Sequence, residues 1–187
     1  SPSANTISTG NRSLGHNYYD DKGRLINSLK LDFSDQGGQI HYVYSGTQYD
    51  FLNRALISKS ISQNLYSSST DHTVLNKNEY EPVTGQLVKT SRKTGTSAWT
   101  TTGLFTYDDL GRMRQSVIGN NGEYRDFSYN IRGQLTGING LYAETGDKGG
   151  KPRTFGETLN YDYGFTQPRY DGKISGVQWR GTNASLL

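Results

Sequence analysis

The chain has 187 residues, and the prior of roughly 100–200 residues per domain predicts one domain or a piece of one. Lys and Arg total 20 against 17 Asp and Glu, and this surplus of +3 is scattered, which argues against nucleic acid as a partner. The absence of cysteine excludes disulfides, thiolate catalysis and cysteine-ligated metal sites. No stretch approaches the roughly 18–20 apolar residues that span a bilayer, so we predict no membrane insertion.

Aliphatic residues are scarce for a folded chain of this length. Leu, Ile, Val and Phe together make up 37 of the 187 residues, which is near the ~20% level below which a packed core becomes doubtful. The nearly balanced charge still argues against disorder. We therefore expect the 14 Tyr and 2 Trp to supply much of the buried area.

Alternation of apolar and polar residues predicts strands, whereas no stretch of ten or more residues has the spacing of an amphipathic helix. The alternation is clearest at residues 29–33 and 40–44, with a turn-rich segment at 35–38 between them. We expect these two strands to form a hairpin. Shorter alternating segments lie around 104–107 and 174–179.

A short motif recurs along the chain. It reads Tyr-Asp-x-x-Gly-Arg-Leu at residues 19–25 and recurs with changes at 49–56, 107–113 and 129–135, while a looser copy with a longer turn begins at Tyr80. The leading tyrosines are separated by 30, 31, 27 and 22 residues, a range that indicates stacked supersecondary units sharing a continuous core. Such units do not fold singly.

The motif has the chemistry of a β-hairpin turn. Asp or Asn at the first turn position accepts a hydrogen bond from the backbone two residues on, and Gly or Asn at the fourth tolerates a positive φ. The tyrosine before the turn can meet the aliphatic residue after it, and such cross-strand pairs contribute roughly 0.2–1 kcal/mol each. The predicted residues of this structural repeat are Tyr19, Asp20, Gly23, Tyr49, Asp50, Asn53, Tyr80, Gly85, Tyr107, Asp108, Gly111, Tyr129, Asn130 and Gly133.

Charged residues recur at fixed positions of the turns. Arg24, Arg54 and Arg112 each follow a turn, so we expect them to form a row on one rim, where charges more often keep a sheet edge soluble than bind an anion. The paired carboxylates at residues 20–21 and 108–109 are interpreted as turn formers rather than calcium ligands.

These copies resemble the YD repeats of the RHS/YD-repeat family, which includes large bacterial surface and toxin proteins and animal teneurins. Two later segments, 127–139 and 169–179, are similar to a consecutive pair in bacterial members of that family. The similarity covers most of residues 18–179, with poor matching at 60–76 and 142–156.

The resemblance implies an all-β fold in which repetitive antiparallel β-hairpins form one curved or spiralling sheet, a segment of an RHS/YD-repeat shell. It implies a single YD-repeat β-sheet domain or fragment over residues 1–187, with repeats near 18–33, 42–59, 78–90, 104–118, 124–139 and 159–180. In bacterial toxins the shell holds a cargo polypeptide, and in other relatives it displays a surface for adhesion.

The function that the resemblance implies is therefore structural. We expect a non-catalytic segment of a shell or surface fibre, whose partners are flanking repeats or a cargo domain of a larger parent chain. The expected location is secreted or at the bacterial cell surface.

The sequence offers no convergent set of catalytic residues. His16, His41 and His72 have no metal-ligand spacing, and phosphate-loop, dinucleotide and nucleophile-elbow patterns are missing. Some relatives release cargo through a self-cleaving segment with an Asp-Pro motif, but none of the four prolines here follows an Asp. We predict no enzyme activity, no metal and no cofactor.

Two other functions remain open besides the structural one, and they depend on the aromatic residues and on the sheet edges. Tyr42, Tyr44, Trp99 and Trp179 are candidates for stacking on a glycan, although strand-borne aromatics more often pack within the protein. The alternative function is therefore a carbohydrate- or surface-binding β module. A third is a protein-interaction element that self-associates through unpaired edge strands.

Overall fold

The chain folds into consecutive antiparallel hairpins. The structure, a computed structural model, describes residues 12–33, 40–64, 72–119, 122–162 and 170–182. Twelve strands in these ranges form one sheet in which each strand lies beside its neighbours in sequence. The predicted all-β fold of repetitive antiparallel hairpins is therefore confirmed.

The strands are connected in simple up-and-down order, with one short helix, α1 (Gly140–Thr145), after the tenth strand. Their bounds are β1 (Arg12–Tyr19), β2 (Leu25–Phe33), β3 (Ile40–Tyr49), β4 (Ala55–Asn64), β5 (His72–Tyr80), β6 (Leu87–Thr94), β7 (Thr100–Tyr107), β8 (Met113–Ile118), β9 (Glu123–Tyr129), β10 (Leu135–Ile138), β11 (Phe155–Asn160) and β12 (Gly176–Gly181).

The four alternating segments lie in or overlap β2, β3, β7 and β12. The first two pair antiparallel, from Asn27 opposite Gly46 to Phe33 opposite Ile40. The predicted turn at 35–38 lies outside the described residues.

The chain divides into two compact units. Unit 1 comprises Ser1–Glu79 and Ser91–Thr100, and unit 2 comprises Tyr80–Thr90 and Thr101–Leu187. In unit 1, β3 and β4 pair from His41 opposite Asn64 to Tyr49 opposite Ala55.

A β-bulge lies beside four of the motif turns. In the first hairpin Tyr19 pairs with Leu25 and Tyr18 with Asn27, so that Ile26 is the extra residue. Equivalent register shifts occur at the turns led by Tyr49, Tyr107 and Tyr129. The extra residue lets the leading tyrosine lie directly opposite the second residue after the turn.

The most deeply buried side chains of the described residues include a cluster at α1 in unit 2. Tyr142 is 4% exposed, Ala143 1% and Asn139 4%. The helix lies against Gly156 of β11, where a Cβ would come within 2.8 Å of Asn139 O and 2.9 Å of Ala143 N. Glycine at this position therefore permits the close approach of the helix to the sheet.

Helix α1 differs from the expectation of strands alone. It spans six residues, which is shorter than the ten-residue window in which a helical period can be recognised. Asn139 begins it with φ 49°, and Gly146 ends it with φ 80° and an N–H bond to Tyr142 O at 3.0 Å. No helix among the described residues is long and apolar enough to cross a membrane.

Candidate functional site

Each motif turn is closed by the side chain at its first position. Asp20 Oδ1 accepts hydrogen bonds from the N–H groups of Lys22 (3.0 Å) and Arg24 (2.9 Å). Gly23 donates its N–H to Asp20 O at 3.0 Å and has φ 74°, while Asn53 occupies the same position of the next turn with φ 69°. Side-chain closure from the first position recurs in the turns that begin at Asp50, Glu81, Asp108 and Asn130.

The arginines that follow three turns form ion pairs with the first residue of their own turn. Arg24 Nη2 lies 2.6 Å from Asp20 Oδ2, Arg112 Nη2 lies 2.7 Å from Asp108 Oδ2, and Arg54 makes the same kind of pair. Each of these three guanidinium groups is therefore paired with a carboxylate of its own turn. In these three turns one carboxylate oxygen closes the turn and the other contacts the arginine four residues later. This contact holds the guanidinium beside the turn.

The side chain of the residue directly after the turn also reaches the next turn in the sheet, where it donates to a backbone carbonyl. This residue is arginine in one described case and glutamine in two. The three described bonds are Arg24 Nη1 to Asp50 O (2.8 Å), Gln86 Nε2 to Gly111 O (3.1 Å) and Gln134 Nε2 to Gly172 O (3.1 Å).

The leading tyrosines link each hairpin to the one before it. The phenolic hydroxyl donates to the backbone carbonyl of the second residue after the preceding turn. The four described links are Tyr49 to Leu25 O (3.3 Å), Tyr107 to Leu87 O (2.8 Å), Tyr129 to Met113 O (2.9 Å) and Tyr161 to Leu135 O (2.8 Å).

Arginine and tyrosine of adjacent turns also stack. The Arg24 guanidinium carbon lies 5.1 Å from the centroid of the Tyr49 ring, and that of Arg112 lies 4.7 Å from the Tyr129 ring. A cation over an aromatic face within about 6 Å is attracted by the ring, so these contacts add to the link between hairpins.

Tyr161 also belongs to this series; the sequence analysis placed a repeat near 159–180 but did not name Tyr161 as its leading tyrosine. Its neighbour Asp162 completes a Tyr-Asp pair 32 residues after Tyr129, close to the other intervals. That interval is the signal that could have identified it. The long insertion before Gly172 hid the copy, because the fourth turn position follows the tyrosine at a much greater distance.

Four junctions between consecutive hairpins share one register. At each junction, the fourth residue after the turn lies opposite the third residue before the next leading tyrosine. The pairs are Asn27 with Gly46, Ile57 with Lys77, Gln115 with Asp126, and Gly137 with Thr158. The junction is thus a repeated structural unit with a fixed alignment.

The hydroxyl link of Tyr107 leads to a test of the junction. Tyr107→Phe should lower the free energy of unfolding by about 0.5–1.5 kcal/mol, since it removes one hydrogen bond and leaves Leu87 O without this donor. Tyr18→Phe is the matched control, because Tyr18 is 57% exposed and should change stability by less than about 0.5 kcal/mol. Urea denaturation measures both, and equal effects would contradict a role for the hydroxyl.

The turn carboxylates are held in their charged form. The backbone N–H and guanidinium of Arg24 lower the pKa of Asp20, and the side-chain bond from Arg112 lowers the pKa of Asp108, in both cases against a partial burial. Burial alone would raise the pKa of Asp50, but the hydrogen bonds from its arginine outweigh it.

A loss of stability in acid follows from these pKa shifts. A carboxyl with a lowered pKa in the folded state stabilises the fold fully above its unfolded pKa, near 3.8, and this contribution is lost as the pH falls through the folded value. We expect urea unfolding to give nearly constant stability from neutral pH to about pH 5 and a steep decrease below about pH 4.

Asp108→Asn is the variant that tests the origin of this acid sensitivity. Asn130 closes its turn with the same backbone bonds, so asparagine should keep the turn at Asp108 while removing a titrating group. The variant should show a smaller decrease in stability from pH 5 to pH 3. An unchanged decrease would contradict the assignment to the turn carboxylates.

A buried network in unit 2 joins β9 and β11 to the start of α1. Asn139 Oδ1 accepts from the N–H of Asp126 (2.9 Å) and from Arg153 Nε (2.9 Å). Asn139 Nδ2 donates to Tyr124 O (2.9 Å) and Phe155 O (2.8 Å). The amide thus uses all four of its hydrogen-bonding sites, and it is a structural centre rather than a reactive one.

Asp126 is the charged group beside this network. Its burial would raise its pKa, but hydrogen bonds from Gln115 and Arg153, with the charges of Arg153 and Lys151, lower the pKa overall. Arg153 also donates to the backbone carbonyl of Lys148, which ties the loop after α1 to the sheet.

The two strand tyrosines proposed for glycan binding make hydrogen bonds within the sheet. Tyr42 and Tyr44 lie two residues apart on β3 and are half-buried. The Tyr42 hydroxyl donates to Gln63 Oε1, and the Tyr44 hydroxyl donates to Asn27 Oδ1 at 2.7 Å. Their polar edges are therefore already occupied by neighbouring strands.

The two tryptophans are more accessible than these tyrosines. Trp99 in unit 1 precedes β7 and is 43% exposed, and Trp179 in unit 2 lies on β12 and is 65% exposed. A recess of about 610 Å³ in unit 2 is lined by Trp179, Tyr142, Lys148 and Arg180, among others. Lys148 Nζ lies 5.6 Å from the centroid of the Tyr142 ring.

The three histidines lie on three different strands. His16 is on β1, His41 on β3 and His72 on β5. Within the described ranges, no group of three or more His, Asp or Glu side chains could hold a metal ion.

No protein-family model matches this sequence, and a search of curated proteins finds no match to it. The resemblance to YD-repeat proteins therefore depends on the motif copies and their turn chemistry.

Proposed function

We propose that this chain is a non-catalytic structural segment of an RHS/YD-repeat protein, forming part of a β-sheet shell or surface fibre. The observation that carries the proposal is the junction between hairpins: four junctions share one register, and three of these four also carry a described hydroxyl link from the leading tyrosine. A junction that repeats without change adds hairpins in one direction, as a wall requires.

The chemistry of the perturbed groups also favours a structural role. The lowered carboxyl pKa values belong to residues that close turns or support the loop after α1, and the raised pKa of Tyr107 comes from the burial of a junction residue. An acid–base catalyst requires groups whose pKa values are moved towards neutrality next to a substrate cleft. The shifts here stabilise charged carboxylates away from neutrality.

The wall would enclose a toxin cargo or mediate contact at a surface, in a protein that is secreted or displayed on a bacterial cell. Its immediate partners would be flanking repeats of the same parent chain. Supporting this, Tyr19 leads the first motif turn, yet it is 58% exposed and its hydroxyl donates to no described residue. A preceding hairpin of the parent chain would supply an acceptor for this hydroxyl.

The natural parent protein provides the test of this proposal. Cryo-electron microscopy of the parent should show β1 and β12 paired with strands from flanking segments, and any enclosed cargo should resist protease until the wall is opened. A parent protein in which both strands remain unpaired, or in which this segment forms a substrate cleft, would contradict the wall.

A carbohydrate- or surface-binding module is the second candidate function, and the recess beside Trp179 favours it. An exposed tryptophan that lines the same recess as Lys148 suits a sugar ring that stacks on the indole and carries an acidic group. Glycan-array binding that is lost in Trp179→Ala or Trp99→Ala, with the circular dichroism spectrum unchanged, would support it. Binding that survives both substitutions would exclude these residues as the site.

A further inference from the structure

The first and last described strands carry the two complementary halves of the repeated junction. In that junction one strand ends in a tyrosine that donates its hydroxyl. The neighbouring strand follows a turn, and the backbone carbonyl of the second residue after that turn accepts the hydroxyl. Strands β1 and β12 are the two ends of the sheet order among the described strands.

Strand β1 presents the donor half. It ends in Tyr19, the counterpart of Tyr49, and every residue from Ser13 to Tyr19 is exposed. The Tyr19 hydroxyl accepts a long hydrogen bond from Asn17 Nδ2 at 3.5 Å and donates to no described residue.

Strand β12 presents the acceptor half. The turn before it contains Gly172 with φ 78°, which matches Gly23 with φ 74°, so Lys173 and Ile174 occupy the places of Arg24 and Leu25. Ile174 is 47% exposed, and no described tyrosine donates a hydroxyl to its carbonyl.

We propose that separate copies of this chain associate head to tail, with β1 of one copy pairing antiparallel with β12 of the next. The register of the four observed junctions places Val177 opposite Gly15 of the second copy. The Tyr19 hydroxyl of that copy donates to Ile174 O. The inference requires only the repeated junction. It therefore goes beyond the wall proposal, and the association can fail while the wall proposal stands.

A second copy is the occupant that the observations favour, because the contact continues an interface that the chain already makes four times. Each half fits the other and not itself, since two β1 strands would bring together tyrosines and no post-turn carbonyl. Such an interface is heterologous, so it builds open chains or rings of copies rather than an isologous dimer.

The mass of the purified full chain tests the association directly. Sedimentation velocity at increasing concentration should show species that grow beyond two copies. A chain that stays monomeric at every concentration would overturn the proposal, and so would a species that stops at two copies. Neither result would bear on the wall, which is tested in the parent protein.

A pair of tyrosine variants tests the hydroxyl link. Tyr19→Phe should weaken association by about two- to tenfold, the equivalent of one net hydrogen bond. Tyr18→Phe is the matched control, because it removes the same atom from a neighbour with nearly the same exposure, 57% against 58%. Equal weakening by both variants would overturn the assigned contact.

Cysteine crosslinking tests the register, and the chain has no cysteine of its own. A mixture of Gly15→Cys and Val177→Cys proteins should form a mixed disulfide on oxidation, and the nearest atom to a Cβ at Gly15 lies 3.9 Å away, so the change fits. His16→Cys mixed with Val177→Cys should crosslink much less, because a one-residue slip turns the side chain to the other face. Equal crosslinking in both mixtures would overturn the register.

Discussion

Replacing Asn139 with alanine is expected to lower the free energy of unfolding by about 3–5 kcal/mol. The substitution removes both donors to Tyr124 O and Phe155 O and the acceptor for Asp126 N–H and Arg153. Each buried polar group left without a partner costs about 1–3 kcal/mol. Alanine also tolerates the left-handed backbone at φ 49° less well than asparagine does.

Asn139→Gly separates the two causes of this loss. Glycine adopts the left-handed conformation freely but supplies no side-chain hydrogen bonds, so it should recover about 1 kcal/mol of the loss and no more. Urea denaturation followed by circular dichroism and tryptophan fluorescence measures both variants. An alanine variant within about 1 kcal/mol of the native protein would contradict the central role of this amide.

Replacing Gly156 with alanine is expected to cost about 2–3 kcal/mol, because the added Cβ meets backbone atoms rather than a flexible side chain. The Cβ would lie 2.8 Å from Asn139 O, 2.9 Å from Ala143 N and 3.1 Å from Tyr142 Cδ1. Helix α1 would have to move away from β11, which would loosen the packing around the buried Tyr142 ring.

Gly15→Ala is the matched control for this substitution. Both glycines lie within strands and have ordinary φ values, but the nearest atom to a Cβ at Gly15 is Leu29 O at 3.9 Å. We expect the control to change stability by less than about 0.5 kcal/mol. Thermal unfolding with near-ultraviolet circular dichroism distinguishes the two variants, and equal losses would show that the close approach of α1 is not responsible.

The all-β hairpin fold and the turns could be predicted because their causes are local. An Asp or Asn at the first turn position and a Gly or Asn at the fourth determine the turn within a few residues, as Asp20 and Gly23 illustrate. Alternation along a strand likewise depends only on neighbouring residues.

The links between hairpins could not be predicted in this way. Tyr49 was expected to meet its own hairpin partner, and it does pair with Ala55, but its hydroxyl reaches Leu25 O twenty-four residues earlier. Which carbonyl it reaches depends on the register between hairpins, and this register involves residues far apart in the chain.

The carbohydrate candidates show the same limit. Tyr42 and Tyr44 resemble exposed strand aromatics in the sequence, but neighbouring strands supply acceptors for both hydroxyls. Trp179 has a similar sequence context and remains 65% exposed on β12. Exposure depends on which strands and loops lie alongside, so the pattern of residues could not separate these cases.

The amino-acid sequence by itself determined the strands, the turns and the repeat, because hydrogen bonds within a turn and alternation within a strand act over a few residues. Only the tertiary structure decided the shared register of the junctions, the hydroxyl links between hairpins and the burial of Asn139. These features depend on groups that come together from distant parts of the chain, such as Asn139 and Phe155, and their partners are selected by packing rather than by proximity in sequence.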